Sequence, residues 1–464
     1  MASALNTNFG GLPIEEVVPD SAMVKGVSRS SLLTGRRRVR FQPQTGTSAN
    51  PNSIIQFVLA DSTSLLDLNS VVLSCTQTTT GTGDTAFDDG PSWMRRVQIS
   101  LNGQMVDDTD NAHRNANANV YASADRAWYN GAGSFANYWA ANPGMAISGT
   151  TYPPTAYAIG DVSGGLIAAS VRSKAGMSVG YPLGLVSSMF QTKQYLPLSQ
   201  CGELVIQITC ATNGEAIFQR PGNTDGAYSL SDIFLEADLI QPHYLYQELL
   251  NKVTQMEGET GLVVPVNTTI VSQGQALTGS NQPASIVVSR ASNNLRRVIV
   301  TQTPTAQLAG VNYPTVSCFG HHGFSGIQFR CGSLYFPSQE ANSDARAFWL
   351  TQTAFGEAIN DRNGTIDWNL FKKTTGTAGQ NYEGQIQQYW GDSCVLAYCF
   401  DNFKGATPLD ADGISVIGQA GSQLVVLLRN SVNAGFSSGV TPTVSLVATR
   451  YIVLRGGALR IEGV

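Results

Sequence analysis

Short runs of alternating apolar and polar residues, separated by turns rich in Gly, Asn, Ser and Thr, make up most of the chain. A period of two marks strands with one buried face. Residues 53–59 read as a core strand and 71–78 as a β-branched strand ending in a Thr-Gly cluster. Met94–Leu101 alternates and is closed by Asn102-Gly103. Asn-Gly tolerates the left-handed backbone of a two-residue hairpin, so residues 104–106 are expected to return beside it. Residues 110–129, rich in Ala and Asn, have room for a short helix. Further strands are expected at 194–198, Leu204–Cys210 and 233–240.

Residues 242–250 then read as a helix. Leu245 and Leu249 lie at i, i+4, so they are expected to share one face and pack inward between two halves of the molecule. A second series of strands is expected at 263–271, 285–289, 295–302 and 326–335. A helix over 343–355 follows, with Ser343 as N-cap. The series ends with 395–400, 423–428, 444–454 and Ala458–Glu462. Met94-Arg95-Arg96-Val97 is echoed by Leu295-Arg296-Arg297-Val298, at an offset of 201 residues. The echo predicts that the two runs occupy equivalent strands of one module built twice. Eight strands in two packed sheets form a jelly roll. The expected fold is all-β: two tandem eight-stranded jelly rolls with short helices and long loop insertions. Residues 1–35 form an extended arm, 36–241 the first roll, 242–260 a helical connector and 261–464 the second roll. Residues 111–190 interrupt the first roll, and the Gly-, Ser- and Tyr-rich part at 130–190 is expected to form outward loops.

Composition narrows the partners. Charged residues are 13% of the chain, about half the usual share. The formal net charge is −5, which provides no bulk attraction to nucleic acid. A hydrophobic content of 42% argues against disorder. Low charge with many small polar residues suits a surface buried against copies of itself. Residues 1–13 lack the apolar core of a signal peptide, and no apolar run approaches the ~20 residues of a membrane span. Seven cysteines, several inside apolar runs, read as free thiols of a protein made in a reducing compartment. The sequons at Asn267 and Asn363 are then silent.

Several runs, in order, resemble a known family. Ile54-Ile55-Gln56-Phe57 followed by Leu66-Asp67-Leu68-Asn69-Ser70 resembles its opening strand and turn. Met94 to Asn102 with Val106-Asp107-Asp108 resembles its hairpin. Leu196-Pro197-Leu198, Leu204 to Ile208 and Tyr228 to Ile233 resemble its late strands. Gln328-Phe329-Arg330-Cys331-Gly332-Ser333-Leu334-Tyr335-Phe336-Pro337 resembles a segment of its second roll. The family is the double jelly-roll major capsid proteins of icosahedral DNA viruses, of the polinton-like virus, adintovirus and virophage type. The match spans about 54–354 and the last strand pair; 111–190 departs from it.

The resemblance implies a structural protein that works by assembly. Three chains, six rolls, would make a pseudo-hexagonal capsomer that tiles a shell around DNA. The implied partners are the chain itself, penton and minor capsid proteins, and packaged DNA or an internal membrane reached through the arm. The implied location is the virion, with assembly inside the host cell and no secretion. Arg36, Arg37, Arg38 and Arg40 are the one concentrated charge. They read either as a solvated or subunit-bridging strand edge, or as an inner-face contact to genome or partner.

No catalytic, cofactor or metal site is expected. Gly435-Phe436-Ser437-Ser438-Gly439 has a nucleophile-elbow pattern but lies in a turn between strands. His321-His322 lacks a third ligand at metal spacing. Asp410-Ala411-Asp412-Gly413 has its glycine too early for a calcium loop. Asp107, Asp108 and Asp110 are read as a solvated hairpin end, with a cation at a subunit junction as the alternative. The rival to a capsid protein is a cell-surface or spike β-sandwich that binds carbohydrate through Trp128-Tyr129 and Tyr138-Trp139.

Overall fold

Burial follows the alternation. Ile54–Leu59 (β2) turns Ile55, Phe57 and Leu59 inward, and Met94–Leu101 (β4) turns Val97, Ile99 and Leu101 inward. A register slip of one residue would expose each set, so the pattern pins the pairing. The computed structural model describes residues 33–138, 173–255, 262–355, 371 and 394–462. Within those ranges, 83–84, 125–127, 129–131, 134, 193–194, 220–223, 278–283, 289–291, 306–315, 317–318, 320–323, 402–412, 417–422, 431–439 and 456–457 are excepted.

Eight main strands build the first roll, besides short ones at Leu65–Asp67, Thr85–Phe87, Tyr195–Pro197 and Ile217–Gln219: Leu33–Phe41 (β1), β2, Val72–Thr80 (β3), β4, Gln104–Thr109 (β5), Met177–Pro182 (β6), Leu204–Cys210 (β7) and Ala227–Pro242 (β8). One antiparallel sheet has the order β6-β3-β8-β1 and the facing sheet β2-β7-β4-β5. The second roll repeats this with Leu262–Gln273 (β9), Ala284–Val288 (β10), Ser292–Pro304 (β11), Phe324–Cys331 (β12), Leu334–Ala341 (β13), Leu396–Cys399 (β14), Leu424–Asn430 (β15) and Val440–Arg455 (β16). Its sheets run β14-β11-β16-β9, with short Ile414–Val416 added beside β11 and Ala458–Glu462 beside β16, and β10-β15-β12-β13. Each strand of the first roll thus has a counterpart eight numbers on. In each roll a helix follows the fifth strand: Ala112–Ser123 (α1) and Asp344–Phe355 (α3). Ser343 caps α3, its hydroxyl accepting the Arg346 N–H at 3.4 Å. The chain is two tandem eight-stranded jelly rolls.

The structure corrects the repeat on which the module was inferred. Met94–Leu101 is the fourth strand of its roll, whereas Leu295 to Gln302 lies in β11, the third strand of the other. They are not equivalent. What they share is a local requirement: an arginine on a central strand, held bidentate by a carboxylate. Arg96 meets Asp108 at 2.7 Å through two nitrogens, and Arg296 meets Asp401 at 2.8 Å. The true repeat is the hairpin after β4 and β12. Leu101 pairs with Gln104 around Asn102-Gly103, and Cys331 pairs with Leu334 around Gly332-Ser333. The strand expected over 326–335 is therefore two strands, because Gly332, at φ 60°, turns the chain.

Two further expectations change. Residues 177–190 are not outward loop: β6 is a sheet strand, and Leu183, Met189 and Phe190 are buried beside it. Residues 139–172 lie outside the described residues. The connector is a helix, Tyr244–Gln255 (α2), but Leu245 is 48% exposed and does not point inward. Its half-buried face is one residue on, at Tyr246, Gln247, Leu250 and Asn251, with Asn251 accepting from Gln200 Nε2. The apolar cluster at 244–246 and 249–250 fits either stripe, which is why the spacing misplaced it. The side chain of Leu249 lies outside the described residues.

The two kinds of tight glycine turn separate experimentally. Gly103 has φ +76° and open space where a Cβ would sit, so Gly103→Ala is expected to cost about 1–2 kcal/mol of backbone strain alone. Gly90 has φ +63° and a Cβ there would lie 2.5 Å from the Tyr138 ring and 2.6 Å from Asn117 Oδ1. Gly90→Ala should therefore lower the chemical-denaturation midpoint clearly more than Gly103→Ala. Equal shifts would contradict the packing around Gly90.

Candidate assembly interface

The two rolls meet along a buried polar seam. β5 is the edge strand of its sheet, and an uncovered edge exposes unpaired backbone groups. Here the edge is covered by β9, itself the edge of a sheet in the second roll. Asp107 on β5 sits at the centre and is fully buried. Its carboxylate accepts from Thr268 Oγ1 at 2.6 Å and the Thr269 N–H at 3.4 Å, both on β9. The Ser187 hydroxyl of the first roll also donates to it. Thr109 Oγ1 lies 3.3 Å from both the Asp107 carboxylate and the Thr269 carbonyl. Arg450 on β16 donates to the Val106 carbonyl at 2.8 Å, and its charge partly offsets that of Asp107. Gln104 Nε2 reaches the Leu459 carbonyl at 2.9 Å.

The helix α1 extends the seam. Arg114 Nη1 contacts Thr443 Oγ1 at 3.4 Å, and Asn117 Nδ2 donates to the carbonyls of Asp89 and Val316 at 3.0 and 3.1 Å. The Val316 N–H returns to Asp88 Oδ2 at 3.1 Å. The Tyr121 ring stands edge-on to Phe319 at 5.8 Å, and its hydroxyl donates to Asp89 Oδ2. Ten of the twelve residues of α1 are buried, although the helix is polar and Asn-rich. Polar groups are buried without large cost only where they are hydrogen-bonded. These bonds offset only part of that cost, because His113 Nε2, Asn115 Oδ1 and Asn117 Oδ1 are buried with no hydrogen-bond partner among the described residues. Burial pushes the His113 imidazole down to about 4, against the pull of Glu215.

The expected solvated hairpin end fits Asp110 and in part Asp108, whose side chains are 50% and 32% exposed, but not Asp107. Asp107 is at the centre of the seam, Asp108 is clamped by Arg96, and Asp110 lies 3.9 Å from Arg95 Nε. No group of acidic, His or Cys side chains with metal-binding geometry occurs among the described residues. His321-His322, 410–412 and Gly435 to Gly439 lie outside the described residues. Six cysteines are free thiols, and burial pushes Cys201 up to about 12 and Cys210 to about 11. No helix among the described residues is long and apolar enough to cross a membrane.

The arginines sit on β1, which among the described residues pairs only with β8 and forms the outer edge of its sheet. Each has a partner within the chain. Arg36 donates to Asp238 and Asp67, Arg37 to Asp61 at 2.8 Å and Arg38 to Glu236 at 2.9 Å. The Arg40 guanidinium lies 3.6 Å over the Phe234 ring. The side chains of Arg36, Arg37 and Arg38 remain 56%, 60% and 47% exposed. The row is a neutralised edge that still presents guanidinium faces outward. Of the aromatic pairs expected as a sugar platform, Trp128 packs edge-on against Tyr138 at 5.1 Å, and Tyr138 is buried. Tyr129 and Trp139 lie outside the described residues.

The seam generates a mutational and a pH test. Asp107→Ala orphans donors from both rolls and is expected to destabilise by about 1–3 kcal/mol for each one left buried. Burial holds the Asp107 carboxyl above its ordinary value of 3.8, outweighing the donors and Arg450. A raised carboxylate binds its proton earlier in the folded than in the unfolded chain. As pH falls from neutral through that raised value towards 3.8, the wild type should gain stability relative to Asp107→Asn. The buried His113 acts oppositely, losing stability as pH falls below about 6.5, but it is common to both proteins and cancels. A stability difference that does not move between pH 7 and 4 would contradict a buried, raised Asp107.

No family model and no curated protein sequence matches the chain. Solved structures do. A structure of PBCV-1 VP54, fitted into a reconstruction of the virophage Sputnik, superposes with TM-score 0.58 at 10% identity, covering 95% of this chain and 99% of that one. The Faustovirus major capsid protein gives 0.55 at 9% identity, covering 93% and 92%. The mavirus major capsid protein gives 0.50 at 12% identity, covering 97% and 95%. At such identities the likeness is one of fold, and it extends over both rolls. The chain has the double jelly-roll fold, shared end to end with the major capsid proteins of Faustovirus and mavirus.

Proposed function

We propose that the chain is the major capsid protein of an icosahedral DNA virus, acting by assembly into homotrimeric, pseudo-hexagonal capsomers. The observation that carries this reading is the seam around Asp107, which locks two jelly rolls side by side into one rigid tile. A chain with two like rolls already docked, one face of the first on a different face of the second, has the geometry to repeat that contact with further copies. Structures with the same double roll, over nearly their whole length, bear the names of major capsid proteins. The virion is the matching location, and the chemistry is non-covalent rather than enzymatic.

The arginine row changes in this reading. With Arg36, Arg37 and Arg38 already paired to carboxylates, their net attraction for phosphate is weak. The strand-edge role is favoured over contact with DNA or a membrane. The carbohydrate-binding rival loses one ring of its expected platform, since Tyr138 is buried. Penton and minor proteins enter as the partners a three-fold tile needs at five-fold vertices and between tiles.

Purified protein should run in light scattering at about three times the 49.4 kDa chain mass, and concentrated trimers or co-expressed capsid components should form closed shells in electron micrographs. A stable monomer that captures glycans on an array would contradict the proposal and favour the rival.

A further inference from the structure

His113 is fully buried at the start of α1, and both of its ring nitrogens are placed against a second proton. Nδ1 accepts the Arg114 N–H at 3.0 Å. The single proton of the neutral ring therefore sits on Nε2. Nε2 is itself buried with no hydrogen-bond partner among the described residues. The ring also serves as a substitute cap. Asn111, the N-cap residue, has φ 49° and makes no side-chain cap bond, so His113 Nδ1 takes up one of the orphan amides of the first turn. As the second residue of α1, His113 lies at the positive end of the helix dipole, which disfavours a cation.

The charged surroundings divide. Burial is the main force against a second proton; Glu215 favours it, Arg114 opposes it, the Asn111 carbonyl favours it and Arg95 opposes it. The two favourable groups are already engaged. The Glu215 carboxylate accepts from the Thr212 N–H at 3.1 Å and Thr212 Oγ1 at 3.0 Å, and lies 3.8 Å from Arg95 Nη1 on β4. The Asn111 carbonyl accepts the N–H groups of Arg114 and Asn115, both at 3.1 Å. The remaining charges nearby have other contacts. Asp110 lies 3.9 Å from Arg95, and Asp108 is clamped by Arg96. Asp107 is bonded to β9, and Arg450 to the Val106 carbonyl. The helix α3, which also packs on α1, carries Asp344 and Arg346, and Arg346 donates to the Glu340 carbonyl at 3.2 Å.

A charged imidazole needs an acceptor at each nitrogen, and this site has none to spare. It is solvated only if the first turn of α1 lifts away from the 213–216 turn. The neighbouring Arg114 holds Thr443 of the second roll, so the same movement withdraws that contact from the seam. We propose that His113 is an acid-sensing latch, whose protonation lifts the first turn of α1 and releases Arg114 from the second roll. The device lies within one chain and stands apart from the capsomer reading. Its direction follows from linkage. The ring titrates near 6.5 when open and at about 4 when closed, so closure is fully favoured above 6.5 and weakens as pH falls towards 4. Asp107, whose carboxyl is held above its ordinary value by burial, acts in the opposite direction.

The test uses the full chain, wild type and His113→Gln, and reads amide hydrogen exchange corrected for the intrinsic rate at each pH. Between pH 7 and pH 5 the opening of Arg114 to Asn117 in the wild type should rise about twentyfold, the ratio set by 6.5 in the open and about 4 in the closed state. The amides of β7 should change far less. The glutamine amide takes up no proton in this range, so the rise should vanish in His113→Gln. No rise in the wild type, or an equal rise in the variant, would overturn the latch. A second measurement needs no variant: slow deuterium exchange at the imidazole C2 carbon of His113 in the folded wild type. A midpoint near 4 supports the latch, and one near 6.5 overturns it. If His113→Gln fails to fold at pH 7, that midpoint and the wild-type rise decide together.

Discussion

A carboxylate with no water around it must be surrounded by donors, and Asp107 sets the relation of the two rolls through that demand. Buried apolar side chains of both rolls form one contiguous cluster, and apolar packing by itself sets no single geometry. The seam is different. Asp107 draws donors from β9 of one roll and from Ser187 of the other, so any relative shift leaves a buried charge short of partners. Apolar contacts tolerate sliding; a buried hydrogen-bonded charge does not. The polar helix α1 reinforces this, since Arg114 and Asn117 reach Thr443 and the Val316 carbonyl of the second roll.

The same logic separates interior from exterior. At the register position of Asp107, which pairs with Ile99, the second roll carries Phe336, which pairs with Phe329. The inner face is thus held by directional polar bonds that fix one geometry for life. Leu334 on β13 and Trp349 on α3, by contrast, lie exposed.

Much of the fold was legible from alternation. Leu204–Cys210 and Ala458–Glu462 were bounded correctly, and Ser343 and Asn102-Gly103 marked their cap and turn because those devices are local. The arginine echo misled because a basic residue beside a carboxylate is useful on any central strand, whatever its place in the topology. The hairpin at Gly332 was hidden in a run that also reads as one long strand, and the turn needed a single glycine at φ 60° rather than an Asn-Gly pair. The seam was the least legible part. Asp107 in sequence belongs to an acidic hairpin end beside Asp108 and Asp110, and only the long-range approach of β9 makes it a buried centre. The Ala- and Asn-rich stretch before Tyr129 signalled a helix but not its burial, since the residues that satisfy it are some 200 positions away, at Val316 and Phe319.

The claim that the seam fixes the two rolls as one body is tested most directly by native-state hydrogen exchange along α1. If the rolls never separate without global unfolding, the amides of Asn115 to Tyr121 should exchange only as slowly as those of the central strands β4 and β11, with the same denaturant dependence. Exchange in α1 that is faster by orders of magnitude and insensitive to denaturant would mean that the rolls swing apart in the native state, and the account of a rigid double tile would be wrong.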